Sequence, residues 1–144
     1  MTKKPEKTRN NKTMTEAQFH SLIVSNLRNA SRWWKPKQQC IRKARVSLGK
    51  YRCAECNLVV PSTKKGVYKT GKKAGKPKKI KNILADHKDP VVDPNVGFVN
   101  WDTFIERLFR EDGWQALCEE CHSAKTKEER SIGAARRKRE SNKI

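Results

Sequence analysis

Two cysteine pairs, Cys53-x-x-Cys56 and Cys118-x-x-Cys121, stand 61 residues apart in a chain with little else to hold it together. A two-residue gap lets one tight turn present two sulfurs, and two such knuckles supply the four thiolates of a tetrahedral zinc site. Four ligands leave no open position, so the expected ion is structural Zn²⁺ that clamps distant segments. The rival is a set of redox-active thiols. Only 35% of the 144 residues are hydrophobic and 34% are charged, so a large core is excluded and a staple is needed. The fifth cysteine, Cys40, is expected on an apolar helix face as a buried core residue.

Lys and Arg number 34 against 15 Asp and Glu, a formal charge of +19. Such an excess calls for a polyanionic partner, bound through neutralised phosphates and released counterions. Between Pro61 and Ala85 lie nine lysines and no acid, whereas 11 of the 15 acids fall between Asp86 and Glu129. Lys72, Lys73, Lys76, Lys78 and Lys79 are therefore candidate phosphate contacts, with solvated surface charge as the plain alternative. The start carries no apolar run of signal-peptide length, and nothing approaches the ~18 apolar residues of a membrane span. A cytoplasmic, reducing setting is expected, with no membrane partner and no small-molecule cofactor.

Residues 1–13 read as a disordered basic arm. "TEAQ" is a capping-box pattern that opens a helix carrying Phe19, Leu22, Ile23 and Leu27. Pro36 suits the first turn of a second helix that runs to Gly49, with Arg42 and Arg45 outward as candidate phosphate contacts. These two helices make a helical extension over 14–50. "YRCAECNLVVP" reads as a hairpin knuckle, the lysine-rich stretch after it as a flexible connection, and "IKNILADH" as the returning strand. Asn100 caps a third helix whose stripe is Trp101, Phe104, Ile105, Leu108 and Phe109. A last helix begins near Cys118 and leads into a basic tail, 132–144.

Within 51–131, "ADHKDP" places Asp86 beside His87, and His122 follows the last cysteine directly. A carboxylate and an imidazole can share one divalent cation and leave sites open for water and a phosphate oxygen. Adjacent strand residues point to opposite sides, so Asp86 and His87 need not compete for that ion. His87 then suits a general base. The plain alternatives are a hydrogen-bonded turn before Pro90 and an exposed helical His122. His20 lacks such company and reads as ordinary surface, and Trp33 and Trp34 read as helix packing, at most one of them facing DNA.

"YRCAEC", "LADHKDPV" and "WQALCEECHSAKTKEE" together resemble the HNH endonucleases, in particular the phage-encoded group with a four-cysteine zinc site. The resemblance spans about Tyr51 to Arg130. It implies an α+β fold: a small ββα-metal finger with zinc knuckles, preceded by two helices and flanked by basic tails. It matches Asp86 and His122 to the catalytic metal ligands, His87 to the general base, and Lys125 of "CHxxK" to a phosphate contact. The implied reaction is hydrolysis of DNA phosphodiester bonds with Mg²⁺ or another divalent cation, leaving 5′-phosphate and 3′-hydroxyl ends. The substrate is double-stranded DNA, nicked or cut through, in a homing-type or packaging-associated role in a bacterial host. Further phage proteins or a second copy of the chain are the other partners it suggests. Where the family has its middle Asn, this chain has Gly113 and Trp114. The competing readings are a non-catalytic zinc-stabilised nucleic-acid-binding protein and an RNA-directed zinc protein.

Overall fold

Asn10, Asn11 and Lys12 adopt left-handed backbone (φ 52°, 54° and 60°), a region asparagine tolerates better than most residues. They turn strand β1 (Lys7–Arg9) back onto β2 (Met14–Thr15). The computed structural model describes residues 3–143, so the expectations for residues 1, 2 and 144 fall outside it. Residues 7–13 of the expected disordered arm are thus part of a hairpin, and residues 3–6 precede it without regular structure. Its strands are held by polar groups, a signal that apolar patterning does not carry. Glu16 accepts hydrogen bonds from Arg9 Nε (2.9 Å) and Thr8 Oγ1 (3.0 Å), and the Arg9 guanidinium lies over the Phe19 ring. Arg9 and Thr8 hold the Glu16 carboxyl below its ordinary range. Helix α1 (Glu16–Ser31) opens on the predicted reciprocal cap, with Gln18 N donating to Thr15 Oγ1 and Thr15 N to Gln18 Oε1. These elements form the first of two compact units, ending at Trp34. Trp33 is exposed.

The second unit begins at Lys35 with α2 (Lys35–Ala44), so the division falls before this helix and not near residue 50. α2 also ends earlier than its periodicity predicts. Arg45 leaves it for β3 (Arg45–Ser47), which turns through Gly49 (φ 69°) onto β4 (Lys50–Arg52). β5 (Val59–Pro61) completes this three-stranded antiparallel sheet, and residues 53–58 form the knuckle between β4 and β5. The lysine-rich connection is ordered as a second hairpin, β6 (Thr63–Val67) against β7 (Pro77–Lys81).

The expected returning strand is broken at Asn82. Its second half, β8 (Ile83–His87), follows Asn82, whose N–H donates to Ser62 O at 2.9 Å. β8 pairs with a strand in "DGWQALC" that local reading misses, and which follows the third helix. That helix, α3 (Trp101–Leu108), is capped as expected: Thr103 N donates to Asn100 Oδ1 at 2.8 Å. Phe104 and Leu108 are buried, whereas Ile105 is 42% exposed and lies off the packed face. β9 (Trp114–Cys118) then aligns His87 with Trp114, Asp86 with Gln115 and Ile83 with Cys118. α4 (Glu119–Ser141) follows at once, so most of the basic tail over 132–144 is helix.

The result is α+β: four helices and small antiparallel sheets among the described residues. α2 packs on β8 and β9 from one side, and α4 also contacts both strands. No helix among the described residues is long and apolar enough to cross a membrane. The buried apolar set is short: Ile83, Val91, Phe104, Leu108, Ala116 and Leu117, with Cys53 and Cys118. Leu117 packs with those two cysteines. Leu117→Ala should therefore cost about 2–5 kcal/mol in chemical denaturation, because a cavity opens where the surroundings cannot close. Ile105→Ala should cost less, about 1 kcal/mol, since 42% of the residue is already exposed to water.

Candidate metal centre and candidate active site

The knuckle between β4 and β5 is closed by Asn57 N donating to Cys53 O and Cys53 N to Leu58 O, both at 3.0 Å, with Asn57 at φ 61°. Ala54 N donates to Ala116 O at 2.8 Å, which ties the knuckle to β9. The end of β9 and first turn of α4 bring Cys118 and Cys121 to the same place. All four sulfurs lie within 4.8 Å of one another, and Cys56 Sγ stands 3.9 Å from Cys118 Sγ. Thiolates at ~2.3 Å from a tetrahedral ion are separated by ~3.8 Å, so the cluster can hold a metal ion such as zinc. The cysteines are free thiols.

The thiols of Cys53, Cys118 and Cys121 differ in acidity because each meets different neighbours. Burial pushes the Cys53 thiol up, but backbone donors at Cys118, Cys56 and Glu55 outweigh it and hold Cys53 at about 6. Burial pushes Cys118 up, and contact with Cys118 pushes Cys121 up strongly. A divalent cation takes all four cysteines as thiolates.

Cys40 departs from its expectation as a core residue. It is half-buried and lines an open groove of about 580 Å³ between α2 and β9, with Lys43, Arg52, Lys88 and Trp114. Burial raises its thiol, and the nearby Lys88 and Lys43 charges partly offset this.

The second cluster grows from the last two residues of β8. Asp86 and its cross-strand partner Gln115 share a face of the ladder, and Gln115 Nε2 donates to Asp86 Oδ2 at 3.3 Å. α4 brings His122 and Lys125, three residues apart and so neighbours on the helix surface, to the same carboxylate. His122 Nε2 is 4.0 Å from Asp86 Oδ1, and Lys125 Nζ is paired with Oδ2. Lys125 also donates to His87 O and lies 3.5 Å from Glu129. The resemblance puts Lys125 on a phosphate; here it is a partly buried partner of Asp86.

His87 turns to the other side of the strand. Its ring packs on Trp114 at 4.0 Å between centroids, and Nε2 meets Leu108 O at 3.1 Å. A carbonyl only accepts, so Nε2 carries the proton and Nδ1 is the basic nitrogen. Sequence reasoning missed Gln115, Trp114 and the Leu108 carbonyl. The first two follow once "WQALC" is recognised as a strand, by its alternation of Trp114, Ala116 and Cys118 with Gln115 and Leu117. A backbone carbonyl leaves no trace in residue types.

The other candidate contacts lie elsewhere on this unit. Lys72, Lys73 and Lys76 lie in the β6–β7 connection and Lys78 and Lys79 on β7, all exposed. Arg42 on α2 and Arg45 on β3 are exposed too. Asn100, beside the question of a middle Asn, serves as the α3 cap.

Comparison of the chain with protein-family models, curated proteins and solved structures returns no match. Native mass spectrometry of the purified protein should show one zinc ion per chain. Chelation, or Cys118→Ser, should collapse the dispersed amide resonances of β4, β5 and β9. Retention of those signals in zinc-free protein would refute a structural role for the metal.

Proposed function

We propose that the chain is a metal-dependent DNA endonuclease of the HNH kind, with β8, β9 and the start of α4 as its ββα-metal finger and the four cysteines as its structural zinc site. The observation that carries this reading is the Asp86–His122 pair at 4.0 Å beside a histidine oriented by a backbone carbonyl. Asp86 and His122 would hold the cation, a carboxylate oxygen and an imidazole nitrogen being donors that Mg²⁺ or Mn²⁺ accepts. A bound cation there would stabilise the charge that builds on the phosphate and on the departing oxygen.

The chain's own residues do the rest. Leu108 O keeps the His87 proton on Nε2, and Trp114 fixes the ring plane. Nδ1 then takes a proton from the attacking water as its oxygen bonds to phosphorus. The bond from phosphorus to the 3′ oxygen breaks, and that oxygen gains a proton from solvent. The ends left are a 5′-phosphate and a 3′-hydroxyl. Gln115 holds Asp86 in place. One finger nicks one strand, and two copies acting together cut both. The phage homing-type or packaging-associated setting rests on the motif resemblance.

One observation favours a second reading. The Lys125 ammonium already neutralises Asp86, as a purely structural ion pair would, which suits a zinc-stabilised nucleic-acid-binding protein without catalysis. Supercoiled plasmids of unrelated sequence, incubated with Mg²⁺ or Mn²⁺ and with EDTA, separate the two. Nicking should require the metal and should fall ~10²–10⁴-fold in His87→Ala. Asp86→Asn should abolish it while zinc content and DNA binding persist. Binding without cutting in either metal points to the second reading or to an enzyme whose strict target site those plasmids lack. Plasmids carrying candidate target sites separate these two.

A further inference from the structure

β6 and β7 pair with each other and with no other strand among the described residues. The ladder sets Lys65 directly across from Lys79, with Lys81 one pair further along the same face. Like charges placed opposite one another across a ladder are destabilising, and no acid between Pro61 and Ala85 relieves them. At the far end the Tyr68 ring collects two more ammonium groups, Lys73 at 5.6 Å and Lys78 at 5.3 Å. Folding alone gives no reason for this concentration. A bound polyanion does.

The root of the ribbon is firm where its body is exposed. Lys64 Nζ donates to Glu119 Oε2 at 2.6 Å, and Ser123 Oγ holds the other oxygen of the same carboxylate. Asn82 bonds Ser62 through its N–H and accepts from Glu119 N through its side chain. The ribbon is thereby fastened to the first turn of α4, which carries Cys121 and His122. Only Asn82 separates it from β8.

Dimensions select the kind of polyanion. Five residues per strand reach ~17 Å, and the two strands lie ~4.8 Å apart. A two-stranded ribbon of that section fits the major groove of B-form DNA, about 12 Å wide. The deep, narrow major groove of duplex RNA excludes it. Lys81 and Asp86 are joined by at most ~17 Å of chain. Lys79, Lys81 and Lys65, which faces Lys79 across the ladder, therefore fall within about one helical turn, ~34 Å, of the candidate active site.

We propose that β6–β7 is a groove-binding ribbon that enters the major groove of duplex DNA within one helical turn of the bond to be cut. It grips phosphates through Lys65, Lys69, Lys72, Lys73 and Lys79. The proposal rests on the endonuclease reading for its position relative to a cut, but its binding test is independent of cutting.

The full chain and a variant with those five lysines changed to Gln are titrated in EDTA across a salt series. The probes are a duplex DNA, a duplex RNA of the same sequence and single-stranded DNA. Every phosphate that a lysine no longer neutralises lowers the slope of log Kd against log salt by about 0.9. The variant's slope should fall by more than about 1.8, as it does when at least two phosphates go unneutralised. The parent chain should prefer duplex DNA to duplex RNA by tenfold or more, and a dye that fills the major groove should displace it. A smaller change in slope, or equal binding to duplex RNA, overturns the proposal. A second variant, Lys69, Lys72 and Lys73→Gln, leaves the ladder untouched and decides the matter if the first fails to fold. Plasmid cutting by the parent chain is scored separately. Cutting with an unchanged slope removes the ribbon and keeps the endonuclease; a changed slope without cutting does the reverse.

Discussion

The convergence of four cysteine sulfurs from the β4–β5 knuckle and the β9–α4 junction is the interaction on which the second unit depends. Few side chains are fully buried, and those nearest the cluster, Leu117 and Cys53, belong to its wall. A core this small does not by itself offset the entropy of ordering some hundred residues. The cluster joins elements far apart in sequence, where a covalent or metal cross-link constrains the unfolded chain most.

The same junction sets the geometry of the acid–imidazole cluster. His122 follows Cys121 directly, and β9, which ends at Cys118, supplies Gln115 to Asp86. Any rotation of α4 about its first turn moves His122 and Lys125 together with the cysteines. The Asp86 carboxylate divides its two oxygens between these residues, one facing the imidazole and one held by the ammonium. On the opposite side of the strand, His87 answers to α3 through Leu108 O and to β9 through Trp114. The two faces of one short strand thus meet separate neighbours, as strand alternation dictates.

Local signals in the sequence are readable where local physics decides the outcome. The capping box at Thr15, the Asn100 cap and the cysteine knuckles each follow from a few neighbouring residues, and the structure carries each of them. Pairing is not readable in this way. Arg45 has the spacing to extend α2 yet joins a sheet because Tyr51 waits across a turn. The lysine-rich stretch has turn-forming composition yet closes a ladder, because its alternating residues find partners across the connection. Asp86, His87 and His122 are identifiable by type, but their division between two faces depends on β9. Lys125 reads as a surface cation because the residue that claims it is 39 positions away.

Asn82 gives the molecule a seam. It is buried and lies between the two ladders, its N–H donating to Ser62 O and its side chain accepting from Glu119 N. The register of β8 on β9 is set by its own five pairs, none of which involves the ribbon. A seam of this kind lets a hairpin vary in length while the neighbouring ladder keeps its own pairing. The ribbon and the Asp86–His122 cluster are therefore separable units of one chain, joined along the sequence through a single residue.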